Sequence, residues 1–191
     1  GRTRATLDAT TSALAYGDKV ECTTFSYKRQ NHFLEWVQAF QGKQKTVIPD
    51  AIITSVCEEI KAQNIEEVTE ITPKDIRAIL KKLKHRKYYE HSILIHHLVT
   101  GIEPPRLLPN EEDQLRCLFL AMQAPFEKFL PNDRKNFLSY SYVMYKLLEL
   151  LGMDQYLSCF SLLKGKDKLA RQDRIFRKIC IANDWEFIPS V

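Results

Sequence analysis

The sequence lacks several features that define common classes of protein. None of its apolar runs approaches the roughly 20 residues needed to cross a bilayer, and its first residues are rich in Thr, Ala and Ser where a secretion signal would be apolar. The five cysteines are odd in number and widely spaced, and no Cys-x-x-Cys pair occurs. This pattern predicts reduced thiols in a reducing compartment, with neither a disulfide framework nor a membrane segment.

Motifs for enzymatic chemistry are also missing. The sequence has no Gly-rich phosphate loop, no paired acidic metal ligands and no nucleophile to which a base can be assigned. His91, His96 and His97 fall on one predicted helix, but a structural zinc site needs four ligands and no second ligand pair is nearby. We therefore expect no enzymatic activity, no metal site and no cofactor within this chain.

The composition is that of a folded helical protein. With 191 residues, of which 45% are hydrophobic and 10% aromatic, the chain can bury a sizeable core. No alternating strand pattern of useful length appears, so the predicted class is all-α. We expect a flexible leader or linker over residues 1–24, a first helical lobe over 25–103 and a second over 104–191, divided at the turn Pro104-Pro105.

Apolar residues at three- and four-residue spacing predict helices through both lobes. The predicted helices begin at or near Asn31, Pro49, Pro73, Tyr88, Asn110, Asn132 or Asp133, and Lys168. Asn31 and Asn110 are predicted caps, and Pro125 is expected to end or kink its helix. The start at Thr72-Pro73-Lys74-Asp75 is favoured because Thr can cap, proline suits the first position and Asp suits the helix dipole.

A cluster of positive charge lies between residues 74 and 87. Its seven basic residues, opposed within that stretch only by Asp75, are Lys74, Arg77, Lys81, Lys82, Lys84, Arg86 and Lys87. Tyr88 and Tyr89 follow directly, and cations beside aromatic rings suit phosphate contact combined with stacking. The alternative is a solvated helix face paired with the acidic residues before it. These acids are Glu58, Glu59, Glu66 and Glu67.

A second basic cluster lies near the end of the sequence. It runs from Lys164 to Lys178 and is opposed only by Asp167 and Asp173. On a helical wheel its members Arg171, Arg174 and Lys178 share a face that the neighbouring isoleucines avoid. We predict nucleic-acid contacts for the first cluster and for these three residues of the second.

Four strings of mixed polarity occur in the order found in a known family. They are FSYKRQNHFLEW (residues 25–36), KYYEH (87–91), RKNFLSYSY (134–142) and DWEFIP (184–189). From about Phe25 to Val191 the sequence resembles the poxvirus late transcription factor three family of large DNA viruses. The resemblance implies a factor for late viral genes that works with a viral multisubunit RNA polymerase and other late factors. It implies no catalytic residue.

The resemblance also bears on cofactors, fold and location. Family members commonly carry a zinc ribbon ahead of this region, and this sequence shows none, so we expect zinc only in a preceding ribbon. The sequence opens without methionine, and we expect it to be part of a longer protein. By fold-level analogy with general initiation factors, the two lobes are expected to be cyclin-like bundles. A viral factor of this kind is expected inside the infected host cell, in the viral factory, cytoplasm or nucleus, or packaged in the virion.

The resemblance and the two basic clusters together lead to two functional hypotheses. In the first, the chain is a non-catalytic late transcription factor whose first basic cluster contacts DNA phosphates, while the second contacts another DNA segment or an acidic polymerase surface. In the second, it is a protein-only adaptor whose basic faces bind acidic protein segments and whose affinity for nucleic acid is incidental. A nuclease is a third class, which divalent-metal-dependent turnover would reveal.

Overall fold

The computed structural model describes residues 16–130 and 136–191 of the chain. In these two ranges the secondary structure consists of seven α-helices and three 3-10 helices, with no strand, which confirms the predicted all-α class. The α-helices are α1 (Tyr16–Phe40), α2 (Asp50–Ala62), α3 (Pro73–Lys82), α4 (Ser92–Thr100), α5 (Pro109–Phe129), α6 (Tyr140–Leu150) and α7 (Lys166–Asn183). The 3-10 helices cover Val68–Glu70, Arg86–His91 and Asp154–Cys159. None of the helices in the described ranges combines the length and apolarity needed to span a membrane.

Helix α1 begins well before its predicted start. It runs from Tyr16, so Asn31 lies inside the helix and the prediction that it caps the helix is wrong. The extra turns have no continuous apolar stripe, and periodicity alone therefore gave no sign of them. Residues 16–24 of the predicted leader belong to this helix, and residues 1–15 lie outside the described part of the chain.

Helices α5 and α6 also differ from prediction at their ends. Leu108, not Asn110, is the N-cap of α5, and that helix continues through Pro125 to Phe129. The predicted start of α6 at residues 132–133 lies outside the described residues, but residues 136–139 are described and are not helical. The backbone N–H of Ser139 donates to Gln172 Oε1 at 3.0 Å, which supports an irregular segment before α6.

The proline inside α5 is compensated by a contact from α7. Pro125 has no N–H to donate to the carbonyl of Ala121. The Asn183 side chain donates to that carbonyl oxygen at 3.0 Å. The backbone acceptor left over by proline is therefore satisfied, and the bond ties the end of α7 to α5.

The buried apolar side chains form two clusters. The larger cluster is built mainly by α1, α5, α6 and α7, with residues such as Phe33, Phe119, Tyr142 and Phe176 fully buried. The smaller cluster lies between residues 48 and 99 and is built by α2, α3 and α4. Helix α1 thus packs with elements that follow Pro104, and the division of the chain into lobes at this turn stays a prediction.

Candidate nucleic-acid interface

The first basic cluster lies on α3, the turn that follows it and the 3-10 helix Arg86–His91. We call its members the first basic patch: Lys74, Arg77, Lys81, Lys82, Lys84, Arg86 and Lys87. All seven side chains are exposed. The structure therefore exposes all seven predicted residues within one continuous segment of the chain.

The start of α3 is fixed by a reciprocal cap, as predicted. Thr72 Oγ1 accepts a hydrogen bond from the Asp75 backbone N–H at 3.2 Å, and Asp75 Oδ2 accepts one from the Thr72 N–H at 2.9 Å. Such a capping box satisfies two backbone donors that the first turn would otherwise leave unpaired. It sets the register of α3 and therefore the direction in which the basic side chains project.

The apolar stripe of α3 divides its basic residues into two groups. Ile76, Ile79 and Leu80 are buried against the smaller cluster. Lys74, Arg77 and Lys81 recur at three- and four-residue spacing and so share one exposed side of the helix. Lys82 lies beyond the opposite edge of the apolar stripe, where it faces α2.

Lys82 is the one member of the patch that forms a salt bridge within the described ranges. Its Nζ lies 2.5 Å from Glu59 Oε1, and the hydrogen bond from Lys82 is the main reason that the pKa of Glu59 is lowered. The other patch residues form no ion pair with the protein's described carboxylates. Pairing with the preceding acids therefore accounts for one of the seven cations.

The turn after α3 holds a lysine in the left-handed region. Lys84 has φ of +60°, and the N–H of His85 donates to the Leu80 carbonyl at 2.9 Å. This arrangement is a helix C-terminal motif in which glycine is the usual residue at the left-handed position. A lysine there strains the backbone while it adds a cation to the surface.

Two tyrosines lie against cations of the patch. The Arg77 Cζ is 5.9 Å from the centre of the Tyr89 ring, and the Lys87 Nζ is 5.7 Å from that of Tyr88. Both tyrosines are partly buried against the smaller cluster. The aromatic residues that the sequence placed next to the charges therefore do contact them.

A cavity of about 140 Å³ opens beside the patch. Arg77 and Tyr89 line it together with Trp36, Ser141 and Phe160, which are distant from them in the sequence. Cys159 is also in its wall, where burial raises the pKa of the thiol while the charge of Lys74 acts in the opposite direction. Residues distant in sequence form this cavity, so local sequence patterns did not predict it.

The second basic patch consists of Arg171, Arg174 and Lys178 on α7. All three are exposed, and no described carboxylate forms a salt bridge with them. Helix α7 packs on α5 in the larger cluster, whereas α3 packs on α2 and α4 in the smaller one. The two patches are therefore carried by different cores.

One of the acids near the second patch points inward. Asp173 is 8% exposed, its Oδ1 accepts a hydrogen bond from the Tyr142 hydroxyl at 2.5 Å, and its Oδ2 accepts one from the Ser190 N–H at 2.7 Å. The Tyr142 pKa is raised, first by burial and then by this bond. Asp173 therefore contributes to the core and leaves the positive charge on the outside of α7 in place.

The three histidines between residues 91 and 97, for which no metal site was expected, make bonds within the fold. His96 Nε2 lies 2.6 Å from the Ile71 carbonyl oxygen, His97 Nδ1 lies 2.9 Å from that of Ile102, and His91 Nδ1 contacts Gln44 Oε1. Across the residues that the structure describes, no group of three or more His, Cys, Asp or Glu is arranged to hold a metal ion.

Comparison with known proteins places the sequence among factors of large DNA viruses. Residues 20–187 match the family described as Poxvirus Late Transcription Factor VLTF3 like. A candidate transcription factor of Paramecium bursaria Chlorella virus 1 is 42% identical over 176 residues, which are 92% of this chain and 49% of that protein. One of Acanthamoeba polyphaga mimivirus is 39% identical over 168 residues, covering 88% of this chain and 39% of the relative.

A more distant relative comes from Invertebrate iridescent virus 6. This candidate transcription factor is 27% identical over 185 residues, which are 87% of this chain and 48% of the relative. The chain thus spans half or less of the length of these three relatives. No solved structure matches it.

Proposed function

Because the chain belongs to the poxvirus late transcription factor VLTF3-like family of viral transcription factors, we propose that it binds the nucleic-acid backbone through the first basic patch. In this role it is non-catalytic and serves transcription of late viral genes. A viral transcription factor acts inside the infected cell; the viral factory, cytoplasm, nucleus and virion all stay predictions for its location.

The observation that carries this proposal is the unpaired charge of the patch. Seven cations less the paired Lys82 leave six that are exposed and form no salt bridge in the described ranges. Lysines and arginines that neutralise phosphates release the counterions condensed on the DNA, and this release supplies essentially all of the sequence-independent affinity for DNA. No base-specific readout is needed for this mode of binding.

The strained position of Lys84 supports the same conclusion. Of the non-glycine residues with positive φ, the other two are Asn64 and Asp184, types that tolerate this region comparatively well. Lysine has no such advantage, and strained backbone tends to be retained where it serves function. We take the charge of Lys84 as the feature that offsets the strain.

The second basic patch fits a second contact. In the proposed complex, Arg171, Arg174 and Lys178 bind either another DNA segment or an acidic surface of the viral RNA polymerase or another late factor. Ile181 lies on the same exposed side of α7 and is 70% exposed. An apolar side chain among cations suits a protein surface better than a phosphate backbone.

This mixed character of α7 favours one alternative function. In a protein-only adaptor, both basic patches would bind acidic segments of the polymerase or of other factors, and affinity for nucleic acid would be incidental. The two functions differ in the behaviour of the first patch towards DNA. A patch built for phosphates gives tight duplex binding that weakens steeply with salt.

A salt titration of duplex binding tests the proposal. Fluorescence anisotropy of a labelled duplex gives the affinity at each salt concentration, and the logarithm of the affinity should fall by about 0.9 per phosphate contact for each tenfold rise in salt. Lys81→Gln should reduce that slope by about one contact. Arg106→Gln is the matched control, since Arg106 is exposed, lies outside both patches and pairs with Glu103.

Weak binding with a flat salt dependence would contradict the proposal and support the adaptor. An equal loss of slope in the Lys81 and Arg106 variants would show that general charge, not the first patch, produces the binding. A pull-down from infected cells with the unmodified chain and with Lys81→Gln would then identify which partner depends on the patch. Divalent-metal-dependent cleavage of the labelled duplex would indicate a nuclease instead.

A further inference from the structure

The cavity beside the first basic patch lies where the two apolar clusters meet. Trp36 and Phe160 pack with the larger cluster, and Tyr89 packs with the smaller one. Arg77 belongs both to the wall of the cavity and to the exposed side of α3. A ligand in the cavity would therefore be continuous with whatever binds Lys74, Arg77 and Lys81.

The size of the cavity suits one aromatic ring. Its volume is about 140 Å³, and an engineered apolar cavity of roughly 150 Å³ in another protein holds benzene. A six-membered ring fits this space, whereas a fused purine is larger. The occupant favoured by volume is therefore a single six-membered heterocycle.

The lining suits a nucleobase. Trp36, Phe160 and Tyr89 offer aromatic surface, and Arg77 adds a planar cation next to Tyr89. Bases stack on such side chains, and arginine adds a cation–π contribution. Glu90 and Ser92 also line the cavity, and a carboxylate and a hydroxyl can pair with the donors and acceptors at the edge of a base.

We propose that this cavity binds one unstacked pyrimidine base of a single strand whose phosphates lie along Lys74, Arg77 and Lys81. The inference deepens the proposed function, on which it rests, by naming single-stranded or locally melted nucleic acid as the ligand. Bases inside a duplex are stacked and paired, and cannot enter a cavity of this kind without leaving the helix. Promoter DNA opened for transcription supplies such a strand.

The first experiment uses the cavity's smallest lining residue on α1. Ala39→Leu fills the space with a good helix former and leaves every charge of the patch unchanged. Ala124→Leu, at an exposed position of α5, is the matched control. Oligo-dT, oligo-dA and a duplex are compared by anisotropy, with the two single strands of equal length so that their phosphates are equal in number.

The unmodified chain should bind oligo-dT more tightly than oligo-dA. Ala39→Leu should remove this preference and weaken oligo-dT binding by roughly 5- to 150-fold, the range for loss of one base stack. Duplex binding and its salt slope should stay unchanged. Ala124→Leu should behave like the unmodified chain in all three assays.

Trp36 provides an independent readout. The chain has two tryptophans, so Trp185→Phe leaves Trp36 as the single indole. Stacking of a base near Trp36 should quench its fluorescence on addition of oligo-dT, and Ala39→Leu should abolish the quenching. The quenching reports on the surroundings of Trp36, whereas anisotropy reports on total binding, so the quenching shows whether a base reaches the cavity.

Each outcome separates the two proposals. Equal binding of all three ligands by the unmodified chain and Ala39→Leu, with a steep salt slope and no quenching, would overturn the cavity proposal and leave the proposed function standing. Absence of binding to any nucleic acid would overturn both. A circular dichroism melt matching that of the control variant shows that Ala39→Leu is folded.

Discussion

Replacing Lys84 by glycine should stabilise the protein and weaken its binding to DNA at the same time. Lys84 occupies the left-handed position after α3 with φ of +60°. A non-glycine residue in this region costs about 1–2 kcal/mol, whereas glycine adds about 0.4–1 kcal/mol of chain entropy to the unfolded state. The difference predicts a net gain of about 0.5–1 kcal/mol. For a chain of this length, that corresponds to a rise in Tm of about 1–4 °C.

The matched control keeps the strain and removes the charge. Lys84→Gln should leave the melting temperature within about 1 °C of the unmodified chain, because glutamine is strained at this φ as lysine is. Both variants lose the same ammonium group. Their salt slopes for duplex binding should therefore fall by the same amount, about 0.9.

Thermal melts of the three proteins test whether Lys84 strains the turn, and anisotropy titrations test whether it contacts a phosphate. If Lys84→Gly is no more stable than Lys84→Gln, the lysine does not strain the turn. If the slope is unchanged in both variants, Lys84 does not contact a phosphate, and DNA binding does not explain its strained position. A strained turn whose lysine contacts DNA gives a stability gain confined to glycine together with a binding loss shared by both variants.

Two further predictions concern the core. Lys146 is 1% exposed, and its Nζ donates a hydrogen bond to the Glu149 carboxylate at 2.7 Å. Lys146→Met should lower the free energy of unfolding, measured in urea, by about 3–5 kcal/mol because it leaves that carboxylate without its partner. A loss no larger than that caused by the same substitution at an exposed lysine would contradict the burial of Lys146. Burial also raises the pKa of Tyr140 to about 12 and that of Cys180 to about 11. Folding therefore favours the protonated forms of both groups, so their contribution to stability should be full below about pH 8.5 and should be lost as the pH rises through 11 and 12. In urea unfolding midpoints measured from pH 8 to 12, Tyr140→Phe should flatten the upper part of that fall. An unchanged profile would show that Tyr140 does not contribute to it.

Local signals predicted parts of the fold well. The cap at Thr72 and Asp75 depends on residues three positions apart, so the sequence alone contains the whole interaction. The start of α1 at Tyr16 could not be found in this way, because its first turns carry no apolar stripe. Asn31 looked like a cap by residue type, but the same residue is also compatible with an exposed position inside a helix.

At the candidate site, too, the sequence predicted the features that depend on one helix and missed those that depend on packing between helices. A helical wheel places Lys74, Arg77 and Lys81 together, since it needs only the helix. It cannot tell that Lys82 meets Glu59, because that contact depends on how α2 packs on α3. Likewise, Asp173 counts as a neighbouring acid in the sequence, although the fold turns it towards Tyr142.

The position of Arg77 suggests how the two cores contribute to a single binding surface. Its helix is anchored in the smaller cluster, while Trp36 and Phe160, which also line the cavity, belong to the larger one. A strand that places phosphates on α3 and a base against Trp36 would contact both cores at once. Binding would then favour the arrangement in which the cavity is formed, since a ligand stabilises whichever state it binds more tightly. The cavity gives an opened strand a contact that a closed duplex lacks, and this difference, not the total positive charge, is what would distinguish the two forms of DNA.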